Sequence, residues 1–111
     1  MAKIERELSG WGFNNLLSYL EDRILNGSVS ASLEDRSDYS EGNARCSVRV
    51  FERYSAMGGN RLSLSITLFQ VGNGPIHLSG ISSGGSQALF WKVNTWGEEA
   101  FLDKLTELLD K

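Results

Sequence analysis

Apolar and polar residues alternate every second position through the middle of the chain, and recur every third or fourth position towards its two ends. Phe13, Leu16, Leu17, Leu20 and Ile24 form one stripe at helical spacing, which predicts an amphipathic helix over residues 11–25. Asn26-Gly27 ends that run, with Gly27 suited to a left-handed C-terminal cap and Ser9 a candidate N-cap. Before it, the charged run Lys3 to Leu8 reads as a short edge strand. A period of two then governs Ser28–Glu34, Ala44–Ser55, Leu62–Phe69 and Ile76–Ser83, which predicts four strands. Residues 35–43 read as a polar loop, Met57 to Asn60 and Gly72 to Pro75 as hairpin turns, and Gly80 as the site of a β-bulge. A final helix starts near Thr95, whose spacing to Glu98 is that of a capping box, and its stripe is Phe101, Leu105 and Leu108.

This order, a short strand, a helix, four strands and a helix, predicts an α+β fold. The expected architecture is a two-layer sandwich: an antiparallel meander sheet of four to five strands with two helices packed on one face. Alternation assigns Cys46, Val48, Val50, Leu62, Leu64, Ile66 and Leu68 to the helix side. It assigns Arg45, Ser47, Arg49, Phe51, Arg53, Ser63, Ser65, Thr67 and Phe69 to the outward side.

The chain has 111 residues, the size of a single domain. Apolar residues make up 41% and charged residues 23%, and three Trp, three Tyr and five Phe supply a core without staples. A formal net charge of −3 argues against general nucleic-acid binding, which needs a basic excess, while leaving room for a local basic patch. Cys46, the single cysteine, can make no internal disulfide, so a reducing compartment, the cytoplasm, is expected. Neither an apolar leader nor a run of about 20 apolar residues occurs, so no membrane partner is expected.

Four runs carry a family resemblance. They are Cys46-Ser47-Val48-Arg49-Val50-Phe51-Glu52-Arg53-Tyr54-Ser55, Gly58-Gly59-Asn60-Arg61-Leu62-Ser63-Leu64, Ser82-Ser83-Gly84-Gly85-Ser86-Gln87-Ala88 and Gly97-Glu98-Glu99-Ala100-Phe101-Leu102. Over nearly its whole length the chain resembles a family of short bacterial proteins, a domain of unknown function. That resemblance implies a bacterial, cytoplasmic protein and carries no functional residue with it.

Chemistry-bearing positions are few. His77, the one histidine, lies on the outward side with no nucleophile motif to serve, and reads as a surface residue. Cys46 reads as a small buried hydrophobe. One cysteine and one histidine leave no metal site, and no cofactor motif occurs. Ser83, Gly84, Gly85 and Ser86 form a glycine-rich run that could cradle a phosphate, but the lysine of a P-loop is missing, and a turn or close backbone approach is the favoured reading. Arg45, Arg49 and Arg53 recur at i, i+4 and i+8, about 13 Å apart on one strand face. They could hold an anion or a small ligand; the plain alternative is a solvated face. Phe51 and Phe69 break the polar outward pattern, and Trp91 sits in an aromatic connector, so these three are candidate interface residues.

The reading that follows is a non-enzymatic small interaction protein that forms a homodimer through its outward sheet face or edge. Its competitor is a carrier or sensor of a small apolar or anionic ligand held between sheet and helix. An enzyme using His77 with Ser83 or Ser86 is a weaker third reading, because the residues present name no base–nucleophile pair.

Overall fold

The computed structural model describes residues 2–27, 30–54 and 61–84. These hold, in chain order, β1 (Ala2–Leu8), α1 (Phe13–Asn26), β2 (Ser32–Glu41), β3 (Ala44–Tyr54), β4 (Arg61–Val71) and β5 (Ile76–Gly84). The expected final helix from Thr95 and the turn at 57–60 lie outside the described residues.

All five strands join one open antiparallel sheet in the order β1-β5-β4-β3-β2. Strands β2 to β5 form the expected meander. The charged N-terminal run is the edge strand its composition suggested, paired with β5 from Ala2↔Ser82 to Leu8↔Ile76. Because β1 and β2 occupy opposite edges, the segment containing α1 must carry the chain across one face of the sheet. Phe13, Leu16, Leu20 and Ile24 are all buried, as the 3.6-residue period requires. They meet Leu62, Leu64, Ile66 and Leu68 of β4, Phe51 of β3, and Ile76 and Leu78 of β5 in one core. Each of these aliphatic side chains, taken fully out of water, contributes about 1.5–3 kcal/mol.

Five local expectations need correction. Residues 35–43, expected as a loop, form most of β2, and the turn shrinks to Gly42 and Asn43, with Gly42 at φ +59°. The strand's polar composition is that of an exposed edge, which need not be apolar to be paired. No bulge falls at Gly80, which pairs in register between Ile4 and Ile66. The irregularity lies between Leu33 and Asp35 instead. Gly27 caps α1 in the right-handed region at φ −83°, its N–H donating to the Ile24 carbonyl. Position Gly12, not Ser9, caps the other end, without a side-chain hydrogen bond.

The fifth correction reverses β3. Phe51 pairs with Leu64, Arg49 with Ile66 and Arg53 with Leu62, so these residues share the helix-covered face with β4's leucines. Phe51 is fully buried and Arg49 is 6% exposed. Cys46, Val48 and Val50, expected beneath the helices, pair with Phe69, Thr67 and Ser65 on the opposite face and are half-buried there. Both parities of β3 mix apolar and polar residues, so alternation alone does not orient it. A phenylalanine buries 150–250 Å², more than a valine, and the arginines can face inward where carboxylates meet them.

Candidate functional site

On the helix-covered face, β2 and β3 carry polar residues where β4 and β5 carry apolar ones. The flank of α1 that overhangs them is polar to match, because Asn14 and Glu21 lie two helical turns apart on the same side. Arg49 is the hub. Its Nε donates to Glu21 Oε1 at 2.6 Å, and its Nη1 donates to Asp38 Oδ1 at 3.0 Å and to the Val48 carbonyl at 2.9 Å. Ser47 Oγ donates to the same Asp38 oxygen at 2.6 Å. One guanidinium thus ties helix to sheet and β3 to β2.

The hydrogen bond from Ser47, then that from Arg49, holds the Asp38 carboxyl below the usual carboxylate range, outweighing the opposing effect of burial. Arg49 titrates higher than an ordinary arginine: burial opposes the charge, but the hydrogen bonds to Glu21 and Asp38 outweigh it. Four residues along β3, Arg45 Nη2 donates to Asn14 Oδ1 at 2.6 Å, with its Cζ 4.0 Å from the Phe13 ring centroid. Between this flank of α1 and the β2–β3 hairpin lies an open cleft of about 540 Å³, with Asp38, Arg45, Ser47 and Arg49 in its wall.

The opposite face carries no described helix. Its side chains lie in rows across the strands. One row is Glu7, His77, Phe69, Cys46 and Tyr39; the next is Glu5, Ser79, Thr67, Val48 and Ser37; a third is Lys3, Ile81, Ser65, Val50 and Asp35. Tyr39, Phe69 and Ile81 are exposed. The His77 and Phe69 rings lie 6.2 Å apart. A shallow groove of about 220 Å³ runs between Tyr39, Cys46 and Phe69. At the far end of this face Ser63 Oγ and Ser83 Oγ share a hydrogen bond of 3.0 Å.

The residues singled out in the sequence therefore separate. Arg45 and Arg49 meet at the cleft. Arg53 lies further along the covered face, half-buried, where desolvation lowers its pKa. Phe51 belongs to the core and is no interface residue, because its register with Leu64 turns it under the helix. Phe69 is exposed as expected, and Ser83 is half-buried on the same face, opposite α1. Gly84 marks a close backbone approach: it sits at φ +132°, and a Cβ there would lie 2.6 Å from the Arg61 carbonyl oxygen. Gly85, Ser86 and Trp91 lie outside the described residues. Sequence reasoning missed Glu21, Asp38 and Asn14. The only signal was the i, i+7 spacing of Asn14 and Glu21 on one helix flank.

Among the described residues no group of three His, Cys, Asp or Glu side chains could hold a metal ion, and no helix is long and apolar enough to cross a membrane. A five-strand open antiparallel sheet with one helix across it defines an α+β protein. The chain belongs to the Family of unknown function (DUF6054), whose model matches residues 1–111. No curated protein and no solved structure matches it.

Proposed function

We propose that this protein is a non-enzymatic interaction module that self-associates through the face of its sheet opposite α1. The observation that carries this reading is the exposure on that face of Tyr39 at 68%, Phe69 at 41% and Ile81 at 37%, with Cys46, Val48 and Val50 between them. Tyr39, Cys46 and Phe69 adjoin in one row with Val48 and Val50 beside Cys46 on β3, and Ser65 alone separates Val50 from Ile81. Such an apolar surface on a small domain is usually covered by a partner, and a two-fold axis lets one patch cover its own copy. The edges suit this role less well. Edge strand β2 carries Glu34, Asp35, Arg36, Asp38 and Glu41 and an irregularity after Leu33; edge strand β1 carries Lys3, Glu5, Arg6 and Glu7. Charges and bulges are how edges resist strand addition. The free Cys46 thiol suits a reducing compartment, which favours the cytoplasm.

The same reading includes a second helix from residue 95 onwards, packed beside α1. Among the described residues, hydrogen bonds between α1 and the sheet reach β3 through Arg45 and Arg49. Three strand spacings, about 14 Å, separate β3 from β1, whereas a helix is about 10–12 Å across. Yet Ile4 of β1 is 8% exposed, and Leu78 and Ser82 of β5 are 2% and 0% exposed. A second amphipathic stripe, Phe101, Leu105 and Leu108, is the cover this half of the face calls for.

Size-exclusion chromatography with light scattering tests the association. A dimer is expected, converted to monomer by Phe69→Glu with the circular dichroism spectrum unchanged. A strict monomer at high concentration overturns the proposal. Hydrogen exchange tests the second helix: protected amides are expected from Phe101 to Leu109, and exchange there at unfolded rates overturns it.

A further inference from the structure

The cleft between α1 and the β2–β3 hairpin lies on the other face of the sheet from the proposed interface, and its chemistry points to a ligand. We propose that it binds a small zwitterion of the α-amino-acid class, with Arg45 receiving the carboxylate and Asp38 the ammonium. The volume of about 540 Å³ lies within the range of small-molecule sites.

The two arginines in the wall are in different states. Arg49 is 6% exposed, and its Nε, Nη1 and Nη2 all have carboxylate partners in Glu21 and Asp38. It is a positioning residue that braces Asp38. Arg45 has five N–H donors and, among the described residues, gives one hydrogen bond, to Asn14. Its Cζ sits over the Phe13 ring, 4.0 Å from the centroid, which limits the guanidinium's freedom and positions the rest of the fork.

Asp38 is also half committed. Its Oδ1 accepts from Ser47 and Arg49, at 2.6 and 3.0 Å, while its Oδ2 has one long contact of 3.4 Å to Arg49 Nη2. The Asp38 side chain is 56% exposed, so this oxygen can take a ligand N–H. Asp38 faces Ser47 across the sheet, and Arg45 is two residues along β3 from Ser47 on the same side. Such diagonal positions lie about 7–8 Å apart. An ammonium and a carboxylate carried on one carbon, each reaching its partner through one charge-assisted hydrogen bond, bridge that gap.

Charge placement selects this class over simpler ions. Arg36, Arg45 and Arg49 stand against Asp38 and Glu21, an excess of positive charge that draws a carboxylate, while the open Oδ2 of Asp38 offers a partner to an ammonium that a lone anion lacks. The site offers one fixed charge of each sign at its mouth.

The test is isothermal titration of the full-length protein with each proteinogenic L-amino acid, alongside acetate and methylammonium. At least one amino acid is expected to bind, and to bind better than either single-charge probe. Arg45→Gln and Asp38→Asn are each expected to weaken that binding by about tenfold or more, since each removes a hydrogen bond to a charged group. Circular dichroism confirms that both variants are folded, and Arg45→Gln carries the test if Asp38→Asn is not. Three results overturn the proposal: no amino acid binds, acetate binds as well as the best amino acid, or binding survives Arg45→Gln unchanged.

Discussion

Replacing Phe51 and Phe69 one at a time tests the orientation of β3 and the identity of the open face. Sequence alternation groups these two phenylalanines on one side of the sheet; the structure puts them on opposite sides. Phe51 is 0% exposed against Leu64 and the underside of α1, whereas Phe69 is 41% exposed beside Cys46 and His77. Phe51→Ala removes a buried ring and leaves a cavity, at a cost of about 3–5 kcal/mol. Phe69→Ala gives up only a half-solvated ring, at about 1 kcal/mol or less. At about 4–8 °C of melting temperature per kcal/mol for a domain near this size, the first loss exceeds roughly 12 °C and the second stays within a few degrees. A domain with total stability of about 5–15 kcal/mol can be largely unfolded by the first change, so Phe51→Leu serves as a milder companion, at about 1–2 kcal/mol. Urea denaturation followed by far-ultraviolet circular dichroism reads all three. Measurements at several protein concentrations remove any contribution of self-association to the Phe69 variant. If Phe69→Ala costs as much as Phe51→Ala at low protein concentration, the assignment of the two faces is refuted.

Three further outcomes are expected. Arg49→Ala leaves Glu21 and Asp38 without their shared cation and costs about 2–4 kcal/mol, below a fully buried pair because both carboxylates keep some solvent; a double-mutant cycle with Glu21→Gln gives a coupling of about 1 kcal/mol or more, and simple additivity contradicts the contact. Asp38 has a depressed folded-state pKa, so its stabilisation is fully present above the unfolded value near 3.9 and is lost as pH falls through the folded value; Asp38→Asn should flatten that acid limb of the stability–pH curve, and an unchanged acid limb contradicts the assigned hydrogen bonds. Gly84→Ala combines a left-handed φ of +132° with a Cβ 2.6 Å from the Arg61 carbonyl oxygen and should cost about 1–3 kcal/mol; thermal denaturation at wild-type stability contradicts the close approach of β4 and β5.

How much of this was legible beforehand depended on how unevenly each segment divides its side chains. The run from Leu62 to Leu68 sets leucine and isoleucine against serine and threonine, and its inward row is the one expected. The α1 stripe is equally one-sided. In β3 neither parity is clean: one holds Arg45, Arg49, Arg53 and Phe51, the other Cys46, Val48, Val50 and Glu52. In β2 nearly every residue is polar, because an edge strand pairs through its backbone and needs little apolar area, so Asp35 to Glu41 reads as a loop.

The type and order of β1, α1, β3, β4 and β5, and the rows of β4 and α1, thus follow from the chain's own periodicity, since burial of one face demands side chains sorted at that face's period. The side taken by β3 was decided by its pairing with β4, where Phe51 had to share a face with Leu64. The same choice brought Arg49 to Glu21 across 28 residues and to Asp38 across 11, partners that no local spacing announces. An inward charge is acceptable only where opposite charge from another element meets it, and that condition exists only once helix and sheet have docked.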